Sequence, residues 1–290
     1  MPAHAKLNVF LRVLGARDDG YHDVETLILP ISLADDVAVE PADDLTAAVE
    51  GAAAGVPEGE ANLALRAARA LAAAAGGDHG ARITITKRIP VAAGLGGGSA
   101  DAAATLLLLD ELWSLGAGRD GLAPIALGVG SDVPALLRGE PAYVRGRGEV
   151  VEPVLAQATS WVVAPLAFEV TSADAYAWWD ERPATGPDPG ALIAAAEAGN
   201  DDLLGSGLFN DLQGPVGARH PDVERTIATA LEAGARGAVM SGSGPTVVAL
   251  CSFATAQTVA DALPGWSVVV GAPPAVVSPA RIDTDPSGVV

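Results

Sequence analysis

The sequence predicts a chain of two domains that mixes strands with helices, and three observations carry that expectation. Its 290 residues exceed the usual size of one hydrophobic core, and 50% of them are hydrophobic, enough to fill two. Residues 81–87 alternate Ile83 and Ile85 with Thr84 and Thr86, the period-two pattern of a half-buried strand. Residues 102–113 are instead almost unbroken Ala and Leu, too long for a typical strand and rich in helix formers. Patterning lapses over residues 153–160 before a new strand starts at Trp161, so the boundary is placed near residue 155. The expected domains are residues 1–155 and 156–282, with 283–290 a poorly ordered tail of Pro, Gly and charge.

Taken in order, residues 5–13 read as a strand with Leu7, Val9, Leu11 and Val13 on one face and Lys6, Asn8, Phe10 and Arg12 on the other. Read alone, the second face suits solvent, and its interest is that Lys6 and Asn8 point together. Asp18-Asp19-Gly20 is a turn that leaves Tyr21 and His22 on an exposed connection. Weak strand alternation covers residues 35–50. A helix then begins near Glu60, carries Asn62 in its first turn and ends at Gly76-Gly77. Asn62 is suited either to capping that helix or to touching a ligand at its end.

Pro90 closes the strand at 81–87, and four glycines, Gly94, Gly96, Gly97 and Gly98, fall within five residues before the Ala/Leu helix. A glycine-rich loop at a helix N-terminus is a phosphate cradle: no Cβ holds an anion away, the first-turn amides lack intrahelical partners, and the helix dipole attracts negative charge. On this reading a side chain at Gly97 obstructs the approach of phosphate. A flexible turn without a ligand is the bland alternative. No Gly-Lys-Ser/Thr ends the loop, and Ser99 stands where G-x-G-x-x-G needs its last glycine, so neither a Walker A loop nor a dinucleotide fingerprint fits.

Further on, Asp132 precedes a short helical stretch at residues 134–137, where N-capping is the simplest role for an aspartate. The segment from Gly139 to Glu149 carries Tyr143, Gly146, Arg147, Gly148 and Glu149. Residues 183–190 form a loop, and Val223, Ile227 and Leu231 are spaced for one face of a helix over residues 221–233.

A formal charge of −19, from 17 basic and 36 acidic residues, argues against a nucleic-acid or anionic-membrane partner. Phosphorylated small molecules remain possible where positive potential is concentrated, as by Lys6, the glycine loop and a bound Mg²⁺. The single Cys251 permits no intrachain disulfide and lies in an apolar run. With no apolar segment of about 20 residues and no secretory leader pattern, the sequence reads as soluble and cytoplasmic.

The stretch Pro90-Val91-Ala92-Ala93-Gly94-Leu95-Gly96-Gly97-Gly98-Ser99-Ala100-Asp101 resembles the second signature of the GHMP kinases, the family of galactokinase, homoserine kinase and mevalonate kinase. Ala5-Lys6-Leu7-Asn8-Val9-Phe10-Leu11 resembles the first signature, and Met240-Ser241-Gly242-Ser243-Gly244-Pro245-Thr246 the third. The resemblance spans most of the chain and is strongest before Glu149 and in the third loop. It implies an α+β fold with a ribosomal-protein-S5-like N-terminal domain and a ferredoxin-like C-terminal domain. It also implies transfer of the ATP γ-phosphoryl group to an alcohol, with Mg²⁺ as cofactor.

Residue by residue, the resemblance makes Asp132 the catalytic aspartate and Lys6 its partner. It gives residues 90–101, Asn62, Gly242 and Gly244 to the nucleotide, and makes Ser99 a candidate for Mg²⁺ or the β-phosphate. Gly15, Asp19-Gly20-Tyr21-His22 and Glu25-Thr26-Leu27 match a branch of the family that acts on the 2-hydroxyl of a cytidylyl sugar-alcohol phosphate in isoprenoid precursor synthesis. Tyr21 and His22 would then contact cytosine. Asn8, Arg147 and Thr171 would complete the acceptor site with a second stacking aromatic, for which Tyr176 competes with Trp178 and Trp179. A homoserine- or mevalonate-type kinase and a non-catalytic ligand sensor are the alternatives. The Tyr21-His22 pattern speaks against the first, and the retention of both Lys6 and Asp132 against the second.

Overall fold

The computed structural model describes residues 1–273 except 53, 54, 58, 264 and 266; the tail expected at 283–290 lies outside the described residues. In chain order the first half comprises β1 (Pro2–Ala16), β2 (His22–Pro41), β3 (Leu45–Gly51), α1 (Leu63–Ala75), β4 (Ala81–Lys87), α2 (Gly97–Leu112), α3 (Gly118–Val129), α4 (Val133–Arg138), β5 (Ala142–Gly146) and β6 (Val150–Pro153). The second half comprises β7 (Thr159–Ala164), α5 (Ser172–Asp180), α6 (Gly190–Ala198), α7 (Asp201–Ser206), β8 (Phe209–Asn210), α8 (Gln213–Arg219), α9 (Asp222–Glu232), β9 (Gly237–Met240), β10 (Val247–Cys251), α10 (Ala256–Ala262) and β11 (Val268–Ala272).

Two sheets organise these elements into an α+β fold. The first has the order β3-β4-β2-β1-β8, with β5 on β2 and β6 on β5, and the second is an antiparallel β11-β7-β10-β9. The change of sheet falls between β6 and β7, around the expected boundary, but the halves are not separate. Phe209 and Asn210 in β8 pair in parallel with Phe10 and Leu11 of β1. One apolar cluster also joins Leu7, Leu29 and Ile31 of the first sheet to Trp161, Val163 and Leu250 of the second. Helices α1 to α4 cover Ile83, Ile85 and Val37 of the first sheet, whereas α9 and α10 cover Val162, Ala249 and Cys251 of the second.

The sequence pattern fails instructively in β1. Against β2, Asn8 pairs with Ile28 but Phe10 with Leu27, so Val9 is an extra residue, a β-bulge. Val9 and Phe10 consequently both enter the core shared by the two sheets, and Leu11 and Val13 join a different cluster beside α5 and α8. Simple alternation had put Phe10 on a polar face; it is 1% exposed. In α9 the buried face runs through Val223, Thr226, Ile227 and Ala230, and Leu231 turns to solvent at 45% exposure.

Helix α2 starts at the glycines themselves, earlier than its Ala/Leu composition suggests. Strand β4 ends at Lys87, three residues before Pro90. What fixes the strand-to-helix connection is charge as well as apolar packing. Asp35 of β2, fully buried, accepts from the amides of Arg88 at 2.6 Å and Ile89 at 2.8 Å, and it pairs with the Lys87 ammonium. Lys87 also reaches Asp101 of α2 at 2.8 Å, so one buried cation clamps strand to helix.

Candidate functional site

A cavity of about 910 Å³ is lined by residues of both halves of the chain. Its floor on one side is the connection from β4 to α2. Ala92, Gly94 and Gly96 alternate in the left-handed region (φ 54°, 71° and 70°), a backbone curl that turns successive amides to one side. Gly96 is the N-cap of α2 without a side-chain capping bond, and the first intrahelical bond runs from the Ala100 amide to the Gly96 carbonyl at 2.8 Å. The amides of Gly97, Gly98 and Ser99 therefore precede the hydrogen-bonded ladder, and the macrodipole adds positive potential where they open. Every residue of 90–101 lines the cavity except Ala100, which is buried against the helical core.

The glycines here have different physical reasons. A Cβ on Gly94 would meet the carbonyl oxygens of Ser241 at 2.7 Å and Gly244 at 2.8 Å, so the third-signature loop packs directly on the second. A Cβ on Gly97 would point inward, 3.0 Å from Ile89 Cγ2 and 3.3 Å from Lys87 Nζ. This corrects the expectation that a side chain at Gly97 would chiefly obstruct a ligand: it would first disturb the clamp beneath the loop.

The loop at residues 241–245 is tied down from several directions. The Asn210 amide donates to the carbonyls of Met240 and Gly242, both at 2.7 Å, and Thr246 Oγ1 donates to the Ala93 carbonyl. Gly242 (φ 58°) lies over the N-terminal strand, where a Cβ would meet Asn8 Oδ1 at 2.9 Å. Gly242 and Gly244 both line the cavity.

Lys6 and Asn8 are 4% and 3% exposed, so the solvated strand face conceivable from sequence is not what forms. The Lys6 ammonium donates to Asn8 Oδ1 and lies 3.3 Å from Asp132 Oδ2. Asn8 is held in turn by Thr26 Oγ1 at 2.8 Å and, through its own backbone amide, by Ser241 Oγ at 3.0 Å. The Lys6 amide donates to the Leu95 carbonyl at 3.0 Å, which stitches β1 to the glycine loop. Asp132 does occupy the N-cap position of α4, yet its side chain makes no capping bond. The carboxylate is directed to Lys6 instead and is 37% exposed to the cavity.

Asn62 resolves differently. It is the N-cap of α1, not a first-turn residue, and its Oδ1 accepts from the amides of Ala64 at 3.0 Å and Leu65 at 3.2 Å. It also lines the cavity, so capping and ligand contact are compatible.

The remaining sequence-predicted residues gather around the same cavity. Tyr21 is 48% exposed, with the Arg147 guanidinium 4.9 Å from its ring centre, a cation–π contact. His22 stacks on Tyr176 with centroids 4.7 Å apart and meets Trp179 edge-on at 5.8 Å. Burial, reinforced by the charge of Asp132, pushes the Tyr176 phenol upward. Thr171 caps α5, its hydroxyl oxygen accepting from the Asp174 amide at 3.0 Å and donating to the Asp174 carboxylate at 2.7 Å. Among the three aromatics, only Tyr176 lines the cavity. Trp179 is buried with Nε1 bonded to the Ala184 carbonyl, and Trp178 packs beside Arg219 and His220.

Sequence reasoning missed Lys87, Asp35 and Asp180. Burial, the largest cause, pushes the Asp101 carboxyl up to about 7 against the opposing pull of Lys87, and Asp101 Oδ1 has no hydrogen-bond partner among the described residues. Among the described residues no group of three or more His, Cys, Asp or Glu side chains could hold a metal ion. Ser99 and the Asp132 carboxylate line the cavity, a sparse donor set that fits a hydrated Mg²⁺ brought in on phosphate oxygens and not an all-protein cage. No helix among the described residues is long and apolar enough to cross a membrane.

Comparison with known proteins agrees with this geometry. The family described as GHMP kinases N terminal domain matches residues 62–140, and that described as GHMP kinases C terminal matches residues 192–266. A 4-diphosphocytidyl-2-C-methyl-D-erythritol kinase of Kineococcus radiotolerans is 45% identical over 259 residues, covering 86% of this chain and 80% of that one. The enzyme of the same name from Deinococcus radiodurans is 43% identical over 274 residues, covering 92% and 90%. A crystal structure of 4-(cytidine 5'-diphospho)-2C-methyl-D-erythritol kinase superposes with a TM-score of 0.80 at 36% identity, covering 94% of this chain and 98% of that one. A homoserine kinase from Cytophaga hutchinsonii shares the fold, with a TM-score of 0.70 at 20% identity over 92% and 94% of the two chains. With relatives above 40% identity over most of its length, and the glycine loops and the Lys6–Asp132 pair in one cavity, the chain belongs to the GHMP kinase family.

Proposed function

We propose that this chain transfers the γ-phosphoryl group of ATP to the 2-hydroxyl of 4-diphosphocytidyl-2-C-methyl-D-erythritol, a step in isoprenoid precursor synthesis. The observation that carries the reading is the meeting, in one cavity, of three groups: the buried Lys6 ammonium 3.3 Å from the cavity-facing Asp132 carboxylate, the open amides of α2, and the aromatic set of Tyr21, His22 and Tyr176. The first suits an attacking hydroxyl, the second a polyphosphate, and the third a planar base. A homoserine or mevalonate kinase would have no use for the third.

In the mechanism that follows, the amides of Gly97, Gly98 and Ser99 bind phosphate oxygens, and the curl at residues 92–96 lets the backbone approach them closely. Asn62 and the start of α1 stand by the nucleotide. Tyr21, His22 and Tyr176 hold the cytosine ring, Arg147 backs Tyr21, and Asn8 and Thr171 complete the acceptor pocket. The acceptor hydroxyl gives its proton to Asp132 as its oxygen forms a bond to the γ-phosphorus and the bond to the ADP oxygen breaks. Lys6 fixes the direction of the carboxylate and offsets negative charge as the oxygen attacks. Most of the rate then comes from alignment and preorganised charge, as phosphoryl transfer requires. Ser99 would hold Mg²⁺, which when bound would supply neutralising charge to the phosphates.

The test is ADP release with a panel of alcohols that includes the cytidylyl substrate, homoserine and mevalonate. Turnover confined to the cytidylyl substrate is expected; turnover with either of the others and none with it would overturn the reading.

A further inference from the structure

We propose that Asp180 is a positioning residue that sets the hydrogen-bonding polarity of His22 and thereby makes the site select cytosine over uracil. The inference rests on the acceptor assigned above and adds a residue that neither the sequence signatures nor the relatives' names point to.

His22 opens β2 and Asp180 closes α5, so the contact joins the two halves of the chain across the cavity that both line. His22 Nε2 lies 2.9 Å from Asp180 Oδ1. An ionised carboxylate only accepts, so Nε2 carries the hydrogen, and in the neutral imidazole Nδ1 is then a bare acceptor. Stacking on Tyr176 and the edge contact with Trp179 fix the plane of the ring. Among the described residues Asp180 is the only hydrogen-bond partner of the ring, so Nδ1 is the atom left for a ligand. Exchanging the two ring nitrogens by a flip leaves the logic intact: whichever nitrogen faces Asp180 is the donor, and the other accepts.

Pyrimidines differ at the position such an acceptor would read. Cytosine presents an exocyclic amino donor where uracil presents a carbonyl acceptor. A bare imidazole nitrogen bonds the first and meets the second lone pair to lone pair, leaving two acceptors unsatisfied in a partly enclosed site. Sites built around such a polar contact reject the mismatched analogue strongly. Without Asp180 the imidazole is free to take either tautomer, and the distinction weakens.

Cytidine and uridine diphosphate binding should be measured by calorimetry on the full chain, for the wild type and for Asp180→Asn and Asp180→Ala. Alongside, ¹⁵N spectra of histidine-labelled protein tell a protonated ring nitrogen from a bare one. The wild type should prefer cytidine by tenfold or more, with the His22 hydrogen on the nitrogen facing Asp180. Both variants should keep their ATP affinity and melting temperature, lose most of the preference and show mixed tautomers, a signature a merely structural role would not produce. An unchanged preference in both variants, or a wild-type hydrogen on the other nitrogen, would overturn the role of Asp180 while leaving the acceptor assignment standing. A wild type that binds both nucleotides equally would overturn this inference alone, and one that binds neither and also fails to turn over the cytidylyl substrate would overturn the acceptor assignment with it.

Discussion

Replacing Gly96 by alanine separates the cost of backbone strain from the cost of moving Lys6. Gly96 has φ 70° and ψ 20°, where an L-residue is disfavoured by about 1–2 kcal/mol. The new Cβ would also lie 2.9 Å from Cε and 3.0 Å from Cγ of Lys6, with Leu136 Cδ1 at 3.4 Å. The Lys6 stem is the softer partner and gives way, which carries its ammonium off the line to Asp132. Strain alone should lower the melting temperature by roughly 2–8 °C. Misplacement of a reacting constellation by about 1 Å costs on the order of a hundredfold in rate, so kcat should fall by about ten- to a hundredfold. Gly116→Ala is the matched control, because its φ is 65° and a Cβ there has nothing within 4 Å among the described residues. Melting and steady-state kinetics on both variants should show similar losses of stability but a loss of kcat for Gly96→Ala alone. Equal kcat in the two variants would refute the claim that the glycine loop sets the position of Lys6.

Three further outcomes are expected. Burial raises Asp101 to about 7 from an ordinary 3.8, so between roughly pH 4 and 7 the native chain holds a proton that the unfolded chain has released, and stability falls as pH rises through that window. Melting curves of Asp101→Asn should be flatter across it than those of the wild type, and an identical pH slope would contradict the assignment. Tyr21→Ala should weaken the cytidylyl acceptor by ~1–3 kcal/mol, the usual scale of base stacking, and leave ATP binding alone; parallel losses for both ligands in calorimetry would place Tyr21 elsewhere. Cys251, 1% exposed and pushed up to about 11 by burial, should resist thiol reagents at about pH 8 in the native protein and react promptly once unfolded, so rapid native labelling would count against the buried assignment.

Legibility of the fold and site from sequence followed the range of the interactions involved. Strand β4, helix α2 and the glycine loop between them are local features, visible in the alternation of Ile83 and Ile85 with Thr84 and Thr86, in the Ala/Leu run at residues 102–113 and in the four glycines at residues 94–98. Lys6, Asp132, Tyr21 and His22 were found through the family resemblance, since as single residues each has a commoner use on a surface or at a cap. The bulge at Val9 was not legible, because no local signal marks the one-residue slip that turns Phe10 inward. Nor was the pairing of β8 with β1, a two-residue strand too short to show periodicity. The Asp35–Lys87–Asp101 clamp was hidden for another reason: charged residues far apart in sequence default to solvent unless their partners are known. The His22–Asp180 contact joins residues from opposite halves of the chain, a distance that single-sequence patterns do not bridge.

The most direct test of the account is Asp132→Asn, measured for kcat, acceptor affinity and melting temperature on one preparation. The substitution keeps the shape of the side chain and removes the proton-accepting charge that faces Lys6 at 3.3 Å. Since the carboxylate makes no capping bond, stability should change little. A fall in kcat of about a hundredfold or more is the usual scale for loss of a general base, and acceptor affinity should change far less. Near-normal kcat, or a loss explained by unfolding alone, would contradict the catalytic role of the Lys6–Asp132 pair.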